Sequence, residues 1–214
     1  MNLTITAEEL YYLGVLLQAK YIDYAYIAAM DDIQHNYALF QKEAQAQLVS
    51  RGILMENFSG NIEIEENIKS LLAPIFFGEK ESSADICYLG DEKKVDIFKF
   101  HFLDDKITMV TGKDKKLIIK EVDMLNLADF VNDILPENYS VKTPEKADKI
   151  DKDNVTRFIA IKNILLGRTS EVRLYIESEG VFYQETSDGS IYSVTQNDFV
   201  TDALGVIKGD NYGL

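Results

Sequence analysis

Residues 95–103 read Val95-Asp96-Ile97-Phe98-Lys99-Phe100-His101-Phe102-Leu103. Apolar and polar side chains alternate with a period of two, which is the signature of a strand with two unlike faces. Asp96, Phe98, Phe100 and Phe102 fall on one face, and three phenylalanines there require a core. Val95, Ile97, Lys99, His101 and Leu103 fall on the other, which mixes apolar and charged groups. An amphipathic sheet face of that kind can receive a partner's helix, and an open strand edge can receive a partner's strand. Ile97, Lys99, His101 and Leu103 are therefore the candidate partner-binding residues. The competing reading covers this second face with the protein's own helices.

Outward from this stretch the period stays that of strands. Ile86, Tyr88 and Leu89 precede it. Asp104-Asp105 form a turn before Ile107, Met109 and Val110, and a further turn at Gly112–Lys115 leads to Leu117, Ile118, Ile119 and Val122. Connections this short join antiparallel strands only. Asp123 then caps a helix carrying Leu127, Phe130, Val131 and Ile134.

Toward the N-terminus the pattern is helical. Thr6 and Glu9 have capping-box spacing, and Leu10, Leu13 and Leu17 recur at helical intervals, predicting a helix over 7–19. Residues 21–30 suit a second helix or an extended connector. A helix is predicted over 37–50 with Phe40, Ala44 and Leu48 on one face and Gly52 as its C-terminal cap. A short hairpin around Ser59-Gly60 follows, then a helix over 65–77 that Pro74 kinks or shortens.

Residues 137–153 hold Pro144 and a run of Lys, Glu and Asp, and read as a linker. They divide 1–136, with the helices and first meander, from a second unit over 154–214. In that unit Val155, Phe158, Ile159, Ile161, Ile164 and Leu165 read as an amphipathic helix ended by Gly167. Strands over 171–178, 181–186 and 190–195 and a helix over 196–206 follow, with a fraying tail from Gly209. The two closing helices share letters: Asp129-Phe130-Val131-Asn132-Asp133-Ile134-Leu135 against Asp198-Phe199-Val200-Thr201-Asp202-Ala203-Leu204. Five of these seven positions agree. The expected class is α+β, with antiparallel sheets, flanking helices and a two-part pseudo-symmetric repeat in which Phe130 and Phe199 face the sheet. Two ordinary amphipathic helices whose core letters coincide are the alternative.

Composition narrows the function. The 214 residues carry 36 Asp plus Glu against 22 Lys plus Arg, a formal charge of −14. Such a field repels a phosphate backbone, so nucleic acid is not an expected partner. A winged helix over 37–64 would offer DNA only Lys42 and Arg51. The sequence shows no signal-like N-terminus and no apolar run of spanning length, so no membrane insertion is expected and the cytoplasm is the expected compartment. The single cysteine, Cys87, reads as a buried structural thiol. Neither His35 nor His101 has metal-ligand spacing, a Cys87–His101 pair lacks an orienting carboxylate, and no glycine-rich phosphate loop is present. Asp31-Asp32, Glu65-Glu66 and Asp104-Asp105 read as turns and caps. No catalytic residue, metal or cofactor is expected. Twelve tyrosines and no tryptophan leave material for an interface.

Several N-terminal motifs point to one family. They are Leu3-Thr4-Ile5-Thr6-Ala7-Glu8-Glu9-Leu10-Tyr11-Tyr12-Leu13, then Ala44–Leu48, Ser50-Arg51-Gly52-Ile53-Leu54, and Ile62–Leu72 with Pro74 and a meander after it. In these the chain resembles the EspG family, cytosolic chaperones of ESX (type VII) secretion systems. The resemblance implies antiparallel strands and helices in two related halves, and a protein partner. EspG chaperones bind the helical tips of PE–PPE pairs. The high Lys, Asn, Ile and Tyr content suggests a low-GC Gram-positive source, where a WXG- or LXG-type helical hairpin is the expected cargo. The chain is shorter than EspG proteins and lacks their Arg- and Ala-rich composition, and no family binding residue maps onto it. An immunity protein that neutralises a basic toxin is the alternative, since negative charge suits such a target.

Overall fold

The computed structural model describes residues 1–28, 30, 37–90, 94–113 and 115–209. The expected loop around Asp31-Asp32 and His35, and the tail after Gly209, lie outside them. The first elements are β1 (Asn2–Thr6), α1 (Ala7–Leu16), α2 (Tyr24–Ala28), α3 (Tyr37–Ser50), β2 (Leu54–Glu56), β3 (Ile62–Ile64) and α4 (Glu66–Phe77). Next come β4 (Lys80–Tyr88), β5 (Lys94–Leu103), β6 (Lys106–Lys113), β7 (Lys116–Val122) and α5 (Met124–Ile134). The last are β8 (Lys146–Ala147), β9 (Val155–Leu165), β10 (Arg168–Ser178), β11 (Val181–Glu185), β12 (Ile191–Ser193) and α6 (Gln196–Lys208). The protein is α+β, with antiparallel sheet and six α-helices among the described residues.

Two compact units are present: Met1–Glu79 with His101–Glu121, and Lys80–Phe100 with Val122–Leu214. In the first, the strand order is β1-β7-β6 followed by the His101–Leu103 end of β5. Here β1 pairs antiparallel with β7, Leu3 opposite Ile119 and Ile5 opposite Leu117. Alternation puts Leu3 and Ile5 into a core with Leu10, Leu13, Leu48, Leu72 and Ile119. Helix α1 starts where the sequence places it: the Thr6 hydroxyl accepts from Glu9 N at 3.2 Å and a Glu9 carboxylate oxygen accepts from Thr6 N at 2.9 Å. Helix α3 ends in a Schellman motif. Gly52 N donates to the Val49 carbonyl and Ile53 N to that of Leu48, both at 3.0 Å, with Gly52 at φ +69°. Pro74 leaves α4 running on to Phe77. Gly78 is required by space, because a Cβ there would stand 2.3 Å from the Phe102 carbonyl oxygen.

In the second unit the order runs from the Lys94–Phe100 part of β5 through β4, β9, β10, β11 and β12 to β8. One sequence expectation fails here. Residues 155–165 are not a helix but β9, the strand between β4 and β10. It pairs with both neighbours: Ile161 lies opposite Ala84 and Arg173, and Ile159 opposite Ile86 and Tyr175. The β-branched content of the segment suits a strand. Ile159, Ile161 and Asn163 alternate as buried residues against Phe158, Ala160, Lys162 and Ile164. Gly167 ends no helix. With Leu166 it forms the two-residue turn into β10, both residues at positive φ (+49° and +73°), as a type I′ hairpin requires. Residues 137–153 are held to this unit through β8, Ala147 opposite Ile191. They are also held through the Tyr139 hydroxyl, which donates to the Val194 carbonyl and accepts from Phe182 N.

Both closing helices turn a phenylalanine to the sheet, as expected. Phe130 stacks edge-on against Phe98 and Phe100 at 4.8 and 5.2 Å between centroids. Phe199, fully buried, does so against Tyr175 and Phe182 at 4.8 and 5.0 Å. The connectivity β4-β5-β6-β7-α5 recurs as β9-β10-β11-β12-α6.

Candidate partner-binding surface

The four residues singled out on β5 separate along the strand. Ile97 and Lys99 belong to the second unit, and His101 and Leu103 to the first. Ile97 is 45% exposed. Lys99 is mostly buried, its ammonium 2.7 Å from a Glu81 carboxylate oxygen. His101 is not at the surface. It is buried, and its Nε2 lies 2.7 Å from the Tyr26 hydroxyl of α2. Leu103 is half-buried. On the opposite face Phe100 is fully buried, and Phe98 and Phe102 are half-buried.

The exposed part of this face continues across the second unit. Strand alternation places Val95 and Ile97 with Lys99, and Lys99 meets Glu81 of β4. Glu81 lies opposite Ile164, so Asp85 and Cys87 of β4 and Phe158, Ala160 and Lys162 of β9 share that side. Opposite Ala160 and Lys162 lie Leu174 and Val172 of β10. Val95, Ile97, Phe158, Val172 and Leu174 are thus on the side away from α5 and α6, each at least 40% exposed. The Lys162–Asp85 ion pair interrupts the apolar area. Exposed apolar side chains with ion pairs set among them make this side of the sheet the candidate surface.

Only the β5 part of this surface follows from the β5 alternation. Phe158 was missed because 155–165 was read as a helix; Val172 and Leu174 fall on a strand expected over 171–178, but without β9 beside it nothing joined that strand to β4 and β5. The two-residue alternation of Phe158, Ala160, Lys162 and Ile164 was the available signal.

The other side of the sheet carries a polar cluster under α6. Tyr175 donates a hydrogen bond from its hydroxyl to Asp202 Oδ2 at 2.6 Å, and Arg173 Nε donates to Asp202 Oδ1 at 3.2 Å. Burial, then the bond to Asp202, raises the Tyr175 pKa well above that of a free phenol. The arrangement fixes α6 on the sheet. In the first unit, the β2–β3 turn holds Phe58 fully exposed while the Asn57 side-chain oxygen accepts from Ser59 N and Asn61 N, both at 3.0 Å.

Among the described residues no group of three or more His, Cys, Asp and Glu could hold a metal ion. No helix among them is long and apolar enough to cross a membrane.

No protein-family model matches the sequence, and no curated protein matches it. Among solved structures the fold is similar to that of EspG5, the type VII secretion system chaperone of Mycobacterium tuberculosis, solved in complex with the PE25–PPE41 dimer. The TM-score is 0.63, over 97% of this chain and 96% of that one, at 9% identity. At that identity the likeness concerns the fold alone.

Proposed function

We propose that the chain is a cytosolic binding protein or chaperone for a type VII secretion substrate that carries a helical hairpin of the WXG or LXG kind. The observation that carries this reading is the fold likeness to a type VII chaperone along nearly the full length of both chains. The exposed apolar face of Val95, Ile97, Phe158, Val172 and Leu174 supports it as a place for a partner's helix. Ile97 and Lys99 line that place. His101 is buried and Leu103 half-buried, so neither is an exposed contact. The recurrent order of strands and closing helix supports a duplicated, pseudo-symmetric architecture.

Co-expression with a WXG- or LXG-type protein encoded next to this chain tests the proposal. A stable stoichiometric complex is expected on size-exclusion chromatography. Failure to bind any such neighbour would end the reading. The charge of −14 favours one alternative, an immunity protein for a basic toxin. Protection of cells from a neighbouring toxin gene by this chain would establish that instead.

A further inference from the structure

Strand β10 is longer than the hairpin that covers it. It pairs with β9 along its length, from Arg168 opposite Leu165 to Ser178 opposite Val155. On its other side β11 reaches only Ile176, Glu177 and Ser178. Among the described residues, the part of β10 before Ile176 therefore has one strand neighbour, β9. The turn at Glu179-Gly180 makes Ser178 and Val181 a hydrogen-bonded pair, and the direction of backbone groups alternates from there. Ser178 and Ile176 point toward β11. Leu174 and Val172 point the same way, past its end. The Val172 carbonyl receives a 3.5 Å contact from the Arg173 guanidinium.

The space beside this edge is a groove of about 1180 Å³ bordered by β10, the β11–β12 turn and α6. On its α6 side the carboxylates of Glu185, Asp198 and Asp202 line it, with the Arg173 guanidinium bound to Asp202, while Asp85 on the opposite face is held by Lys162. Its sheet-face flank is apolar, with Leu174 62% and Val172 40% exposed and Phe158 nearby. Unpaired strand edges of this kind are usually shielded by lysine or proline, yet here the two outward positions are valine and leucine.

We propose that the open edge of β10 takes an extended segment of a protein partner by strand addition, a segment with apolar residues at alternate positions and lysine or arginine between them. Backbone hydrogen bonds to Val172 and Leu174 supply the register. Apolar side chains of the added strand lie beside those two residues, and its basic side chains turn toward the carboxylates of α6 and the β11–β12 turn. A second copy of this chain is a poor occupant, because its own charge of −14 opposes the same carboxylates. The inference rests on the protein-binding reading and adds to it the conformation and charge of the bound segment.

The test uses the full chain and two synthetic peptides of about eight residues, a common strand length. One alternates valine with lysine and the other valine with glutamate. Backbone amide exchange is followed by NMR. The lysine peptide is expected to slow exchange at Val172 and Leu174 by about tenfold or more, the glutamate peptide to leave it unchanged, and Leu174→Lys to abolish the effect. No protection at these amides, equal protection by both peptides, or protection that grows with protein concentration alone would each overturn the proposal. The last would identify a second copy as the occupant. If a neighbouring helical secretion protein binds Leu174→Lys as well as it binds the unaltered chain, the edge proposal falls while the chaperone reading stands. If the peptide protects the edge but no secretion protein binds, the chaperone reading falls alone.

Discussion

A guanidinium nitrogen of Arg51 stands 2.6 Å from a carboxylate oxygen of Glu9, and a second donates to the Thr4 carbonyl at 2.9 Å. Arg51 follows α3, and Glu9 lies in the first turn of α1. Two of the N-terminal motifs quoted above are thus in contact. Glu9 is buried and serves at once as capping-box acceptor and ion-pair partner. Arg51 is partly exposed, its side chain at 39%, so water moderates the attraction.

Arg51→Ala is therefore expected to destabilise the protein by about 1–2 kcal/mol, below the cost of breaking a fully buried pair. Glu9→Ala, which also removes the cap, should cost at least as much. Urea unfolding of both variants and the double mutant checks this. A double-mutant cycle with no coupling would show that the pair contributes nothing.

The hairpin between β9 and β10 places Leu166 at φ +49° and leaves the residue 70% exposed. A branched apolar residue there is strained, and asparagine followed by glycine is the favoured pair for such a turn. Leu166→Asn should raise stability by about 0.5–1 kcal/mol, seen as a higher thermal midpoint. A helix over 155–165 would predict no such gain.

Alkaline stability should depend on Tyr175. Its pKa is raised in the folded protein, chiefly by burial, so folding favours the neutral phenol. That contribution is fully present below the ordinary tyrosine pKa of about 10 and is lost as pH rises above it toward the folded value. Tyr175→Phe should lose about 1.5–3 kcal/mol at neutral pH, the worth of a hydrogen bond to a carboxylate. It should also show a shallower decline of stability above about pH 10. Unfolding midpoints measured from neutral to alkaline pH, with identical slopes for variant and parent, would contradict the assignment.

Ile97→Asp separates surface from core. With Ile97 45% exposed, the fold should persist and stability change by no more than about 0.5–1 kcal/mol. Loss of the neighbouring helical partner in co-purification, with circular dichroism unchanged, is the expected result. An unfolded variant would place Ile97 in the core.

Local chemistry was legible wherever a few neighbouring residues complete their own hydrogen bonds. Thr6 with Glu9, Gly52 after α3, and Asp123, whose carboxylate accepts from Asn126 N at 2.7 Å, announce their elements within four residues. Glu65 and Asp104 also act as read: Glu65 caps α4, accepting from Ile68 N at 3.0 Å, and Asp104 turns the chain at φ +54°. The meander of β5, β6 and β7 was legible because each strand is separated from the next by a short turn.

The sequence by itself thus determined the α+β class, most helix boundaries and the alternation of β5. The tertiary structure alone decided that Val155–Leu165 is a strand, because its isoleucines satisfy either period until β4 offers a partner 77 residues away, Ala84 opposite Ile161. It also decided that His101 is covered, since the Tyr26 hydroxyl comes from a helix 75 positions earlier. The free edge of β10 likewise depends on where β11 stops pairing, at Ile176 opposite Tyr183. Local hydrogen bonds close within a turn and leave their mark in adjacent letters. Strand pairing and coverage are settled by which distant surfaces meet, and burial of those surfaces outweighs the weak local preference of any one segment.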